Sequence, residues 1–251
     1  LPIASPSEYS KPIRCPSCHA PLLATITPFC SSCSSLLRDI PNVFWRPSKT
    51  THFDLFNLPK SYNVDQEKLK VEYSQLKEKL NPAEFVGQGE RQWWAERWND
   101  RVDSAYEVVH DDLSRALYLL EELFGVDLSQ EGLSESLIYS DLATEIDEVA
   151  DALDAATNAE ELAAIRKTSS ARFNETAASL SPAFDATLAS DAHDIQPLCA
   201  LVLRLQYLNN AVQYCIDADE LSEEGDAWGW LYPDHLNFGR WHVLATPKTL
   251  K

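Results

Sequence analysis

The sequence contains no methionine. Leu1 is therefore not expected to be an initiator residue; a removed leader and a fragment of a longer chain both stay open, and no targeting signal can be read. No apolar run approaches the ~20 residues that a membrane helix requires, so a soluble protein is expected. Positive charge is scarce: 21 Lys and Arg face 39 Asp and Glu, a net charge of −18. The deficit is uneven, with +3 over residues 1–50, −6 over 51–125 and −15 over 126–251. So acidic a surface repels phosphate and makes nucleic acid a poor partner for the C-terminal half. Solvation of helix faces accounts for the acidity more simply than docking does. No glycine-rich or cysteine motif accompanies His110, Asp111 and Asp112, so this cluster reads as helix-end capping and not as acid–base chemistry. An enzyme is not expected.

What is present suits a folded protein. Apolar residues make up 45% and charged residues 24%, which excludes disorder as the rule for this chain. A length of 251 residues allows one large domain or two or three small ones.

The N-terminal fifty residues carry two Cys-x-x-Cys turns, Cys15-Pro-Ser-Cys18 and Cys30-Ser-Ser-Cys33, eleven residues apart. Each turn aims two thiolates at one centre, and two turns supply the four ligands of a tetrahedral zinc ion. Few large apolar side chains lie here, so a metal would supply stability that burial cannot, roughly 10–16 kcal/mol in comparable zinc peptides. A pair of disulfides is the alternative. His19 could stand in as a ligand, but four cysteines already fill the shell. No fifth group offers an open position, so one structural zinc is expected. Cys199 and Cys215 fall in a helical region and read as small buried apolar residues.

The pattern then becomes helical. His52 to Pro59 is a short apolar turn. Asp65 can cap a helix reaching about Leu80, with Leu69, Tyr73, Leu76 and Leu80 spaced 4, 3 and 4 on one face and Pro82 beyond. A second helix runs from about Glu90 through Val109 on a stripe of Trp94, Trp98, Val102, Ala105 and Val109. Three more amphipathic stretches follow, over 133–155, 158–180 and 195–215, with no strand pattern between them. Asp194 can cap the last, whose first turn tolerates Pro197.

The order of an FDLFNLP turn, a helix with LKVEYSQLKEKL, a Pro loop with Phe85, a helix ending VDSAYEVV and the segment Asp112-Leu-Ser-Arg-Ala-Leu-Tyr-Leu-Leu120 resembles HscB-type J-domain co-chaperones of iron–sulfur cluster biogenesis. Eukaryotic members often carry an N-terminal tetracysteine segment. The resemblance spans about residues 15–215. It implies an all-α protein: a zinc knot (1–50), a J-type hairpin (51–125) and a three-helix scaffold-binding bundle (126–217), packed as an L and followed by an acidic, aromatic tail (218–251). Trp228, Trp230, Tyr232, Phe238 and Trp241 in that tail read as packed against their own domain more readily than as a partner ligand.

The implied function is to bind the cluster scaffold and present it to a DnaK-type ATPase chaperone of 70 kDa in the mitochondrial matrix, with the cytoplasm as second compartment. Chaperone contact would fall on Asn81, Pro82, Ala83, Lys70 and Lys77. Scaffold contact would fall on Leu137, Ile138, Asp141 and Tyr207. One departure matters: the family's His-Pro-Asp is here Asn81-Pro82-Ala83. Pro82 keeps the backbone shape, but Ala83 has no carboxylate for a chaperone arginine. The helix from Asp65 to Leu80 is also neutral, with Lys68, Lys70, Lys77 and Lys79 against Asp65, Glu67, Glu72 and Glu78. J-activity is therefore doubtful. The alternatives are a scaffold-binding adaptor without J-activity and a zinc-ribbon nucleic-acid module; only Lys11, Arg14 and Arg38 flank the knot, which argues against the latter.

Overall fold

The computed structural model describes residues 14–22, 27–38, 51–128, 140–190 and 194–223. Among them are seven α-helices and a 3-10 turn, with only two isolated β-bridges, Arg14 with Pro21 and Phe29 with Leu36. The all-α expectation holds. The helices are α1 (His52–Leu55), α2 (Gln66–Lys79), α3 (Glu90–His110), α4 (Asp112–Phe124), α5 (Ser140–Ala155), α6 (Ala159–Ala189) and α7 (Gln196–Glu223); the 3-10 turn spans Pro82–Phe85. The chain divides into two compact units, Leu1–Asp111 and Asp112–Lys251.

In the first unit the hairpin forms where its punctuation dictates. Thr51 caps α1 through a reciprocal box, its backbone N–H donating to Asp54 Oδ2 at 2.6 Å. Asp65 Oδ1 accepts from Lys68 N at 3.0 Å and starts α2. Gly87 and Gly89, both at positive φ, turn the chain from the 3-10 segment into α3. Leu69 and Leu80 of α2 are fully buried, whereas Tyr73 and Leu76 are half-buried. The α3 stripe is Ala95, Trp98, Val102, Ala105 and Val109, all fully buried. Trp94 is half-buried and gives its expected core place to Ala95; its indole N–H donates outward to Glu90 Oε1 at 3.2 Å. Phe53, Leu55, Phe56, Leu58, Tyr62 and Phe85 complete the core.

The second unit is built on α6 and α7, which pack along their length, with α5 against both and α4 also against both. The α7 face buries Leu198, Val202, Leu205, Leu208, Ala211 and Cys215. Asp194 Oδ1 accepts from Gln196 N at 3.1 Å at its start. Cys199 and Cys215 are buried, as expected of small apolar residues. Two helices outrun their expected limits: α6 continues through Pro182 to Ala189, and α7 continues to Glu223. Phe184 of α6 stacks on Phe124 of α4, and Leu180 is fully buried, so packing on both sides of the proline offsets its lost backbone bond.

Candidate functional site

The two cysteine turns repeat one geometry. His19 N donates to Cys15 O at 2.9 Å and Ser34 N to Cys30 O at 2.8 Å; Cys15 N donates to Ala20 O at 2.9 Å and Cys30 N to Ser35 O at 3.0 Å. His19 and Ser34 occupy the same left-handed conformation, φ 59° and 56°, that closes each knuckle. The result brings all four expected ligands together, each sulfur within 4.8 Å of the others. Cys15 lies 3.6 Å from Cys33, and Cys18 lies 3.8 Å from Cys30, sulfur to sulfur. A tetrahedral zinc–thiolate centre with bonds of ~2.3 Å has sulfur–sulfur edges of ~3.8 Å, so these residues fit such an ion. His19 is exposed and its ring is not part of the cluster.

The electrostatics agree. Ser35, through its hydroxyl at 3.1 Å and then its backbone N–H, holds the Cys33 thiol down at about 6, with Cys18 helping. Cys18 is pulled down by the Ala20 N–H, yet Cys33, burial, Cys15 and Cys30 outweigh it and leave it pushed up to about 12. Four thiols this close cannot all ionise unless a cation shares their charge. Ser17 N, 3.4 Å from Cys15 Sγ, is the backbone donor a bound thiolate needs.

The loop of interest is short and exposed. Asn81 caps the 3-10 turn, and its Oδ1 accepts from Ala83 N at 3.1 Å. Ala83 presents only a methyl group. Lys70 is exposed on α2. Lys77 is half-buried and turned toward α3, where its Nζ sits 2.8 Å from Asp103 Oδ2. Tyr73 donates to the other oxygen of Asp103 at 2.9 Å and stacks on Tyr106, ring centroids 4.1 Å apart. Sequence periodicity did not single out Asp103. Its signal was available only in retrospect, as a carboxylate opposite Tyr73 and Lys77 on the neighbouring helix.

In the second unit Tyr207 lines a groove between α5 and α7, of about 460 Å³ with its open mouth included. Leu142, Ile146, Val149 and Leu153 of α5 face Leu208 and Ala211 of α7 across it. Glu145 is held from two helices, 2.7 Å from Arg204 Nε and 3.5 Å from Arg172 Nη1. This carboxylate and its two arginines were not anticipated. Asp141 falls in the first turn of α5, and Leu137 and Ile138 lie outside the described residues.

No family model matches the chain. Over 84 residues, 33% of the chain, it is 38% identical to co-chaperone protein HscB homologs of Burkholderia mallei and Burkholderia pseudomallei. The chain spans about half the length of the curated relatives it matches, 47%. Among solved structures, human co-chaperone protein HscB superposes with a TM-score of 0.67 at 23% identity, covering 82% of this chain and 98% of that one. The chain has the HscB fold. Jac1 co-chaperone from Saccharomyces cerevisiae is similar at 24% identity and a TM-score of 0.54, covering 68% of this chain and 95% of its own. HscB from Vibrio cholerae gives the same TM-score at 18% identity, covering 68% of this chain and 98% of its own. The curated relatives, human HscB and Jac1 are named as co-chaperones.

Proposed function

We propose that the chain is a co-chaperone of iron–sulfur cluster assembly that holds the cluster scaffold protein on its C-terminal unit and presents it to a DnaK-type chaperone in the mitochondrial matrix. The observation that carries this reading is Tyr207. It occupies the aromatic position that the HscB resemblance assigns to the scaffold, and it stands in a groove of apolar side chains from two helices. An aromatic anchor in an apolar setting is the usual centre of a protein interface. The four-cysteine knot holds one structural zinc in this reading, since thiolate ligands at tetrahedral spacing suit that ion.

A second reading is an adaptor that binds the scaffold without activating the chaperone, and Ala83 favours it. A chaperone arginine finds no carboxylate there, and the Asn81 carbonyl oxygen is engaged within the loop. Lys77 is drawn to Asp103, which removes a cation from the surface that would steer the hairpin to an acidic partner.

Calorimetric titration with a purified mitochondrial cluster scaffold tests the first claim, and saturable one-to-one binding is expected. Absence of binding by either the isolated or the zinc-loaded chain sinks it. Single-turnover ATP hydrolysis by the cognate chaperone then separates the two readings: stimulation supports the presenting co-chaperone, and its absence supports the adaptor. Import of the full-length precursor into isolated mitochondria tests the compartment.

A further inference from the structure

We infer that the cysteine knot is a metal-dependent clasp on the hairpin: occupancy of the four-thiol site controls the cover and hydrogen bonding of Trp98, and with them the local stability of α3. The inference rests on the reading that the knot binds a metal.

Trp98 is among the largest fully buried side chains of the protein. A buried indole N–H must find an acceptor, since leaving it unmade forfeits the full cost of its desolvation. The acceptor does not come from the hairpin. It is the carbonyl of Leu37, 2.8 Å away and 61 positions earlier in the chain. Leu37 is placed by the second cysteine turn. Its own N–H donates to Pro28 O at 2.8 Å, and the preceding Leu36 is bridged to Phe29, so the two arms of the Cys30–Cys33 knuckle hold that carbonyl in position.

Beyond these backbone bonds, little apolar packing among the described residues fixes those arms. Among the described residues the buried core of the knot is Cys15, Pro28, Cys30 and Leu37, with Leu22 against it; two of the four are the ligands of this reading. Among the described residues a further tie to α3 is an exposed ion pair, Arg38 Nη2 to Glu90 Oε1 at 3.3 Å, and exposed pairs hold little in place. When the thiols lose their common centre, Leu37 is released and Trp98 loses both acceptor and cover. The site can be reached for this to happen, because Cys18 and Cys33 are exposed while Cys15 and Cys30 are buried. The consequence extends along α3, since the 3-10 turn Pro82–Phe85 packs on the same helix.

The test is hydrogen–deuterium exchange of the full chain, before and after zinc is stripped by a high-affinity chelator, with zinc content followed by elemental analysis. Stripping is expected to speed exchange of the α3 amides around Trp98 by roughly tenfold or more, the scale on which losing one buried hydrogen bond shifts a local opening equilibrium. The α7 amides should be unmoved, and added zinc should restore α3. A parallel fluorescence titration reads the same event: chelation should red-shift the emission of the wild type, and Trp98→Phe should remove that shift. If Trp98→Phe fails to fold, the exchange measurement on the wild type decides alone. Zinc fully stripped with α3 exchange unchanged overturns the clasp while leaving the metal reading intact. A chain that neither carries nor takes up zinc overturns both, and the elemental analysis shows which has failed.

Discussion

The cysteine knot and the C-terminal helical unit are held together by different physics. Among the described residues of the knot only Cys15, Pro28, Cys30 and Leu37 are buried, and two of the four are cysteines of the cluster, so most of its order is delegated to four sulfur atoms. The helical unit buries Leu198, Leu203, Leu205, Leu208 and Phe184 among others, in helices of 31 and 28 residues that pack along their length. A few dozen residues cannot bury enough apolar surface to offset their chain entropy, whereas long paired helices can. The knot should therefore answer to metal, thiol chemistry and chelators, and the helical unit to side-chain volume.

The largest effect expected from that contrast is metal loss. Cys30→Ser should abolish stable zinc binding, with roughly 10–16 kcal/mol of binding free energy at stake in small zinc domains. Loading with cobalt reads it: the wild type should show the visible absorption of a tetrahedral thiolate site, and the variant should not. Far-ultraviolet circular dichroism should barely change, because losing the metal loosens α3 only locally and leaves the helices formed. A collapse of helicity would break the contrast.

Next comes the opposite perturbation. Leu205 is fully buried on α7, and Leu205→Ala should cost about 2–5 kcal/mol in denaturant unfolding of the helical unit. Zinc content should stay at one per chain.

Function should divide in the same way. Tyr207→Ala should weaken scaffold binding by ~2 kcal/mol or more with helicity retained. If helicity falls instead, Tyr207 is structural and the groove has been misassigned. In the hairpin, Asn81→His with Ala83→Asp should raise stimulation of the chaperone ATPase about tenfold, since a charge-assisted hydrogen bond contributes ~1.5–3 kcal/mol. Scaffold affinity should not move. Equal stimulation by the unmodified chain would show that another surface serves the chaperone.

The smallest effect is a titration. Burial first, and then the hydrogen bond to Asp103, push the Tyr73 hydroxyl up to about 12 from its ordinary 10. A raised value means that the neutral phenol is favoured in the fold. Its contribution is therefore complete below pH 10 and is lost as pH rises toward 12. Tyr73→Phe should flatten the pH dependence of hairpin stability over that window and cost ~1 kcal/mol at neutral pH.

Much of this was legible in residue order because the signals are local. Two Cys-x-x-Cys turns need no distant partner to be recognised, and Asp65 and Asp194 mark helix starts by capping groups within three residues. The stripe Trp98, Val102, Ala105 and Val109 follows from helical periodicity alone. The misplacement of Trp94 shows the limit of that rule. Neighbouring positions 94 and 95 both border the face, and the space left by the facing helices admitted the smaller side chain. Pro182 is a second case. A local rule ends a helix there, but contacts made by Leu180 and Phe184 on either side of it carry α6 onward.

The sequence by itself thus determined the four-cysteine set, the helical class and the Asn81-Pro82-Ala83 loop, because each is written in residues close together in the chain. Only tertiary structure decided that Leu37 accepts from Trp98, that Asp103 captures Lys77, and that Glu145 is shared by Arg172 and Arg204. These pairings join positions 26 to 61 residues apart. No local preference encodes them. They arise when burial has already set the helices side by side and each enclosed polar group must find a partner within reach.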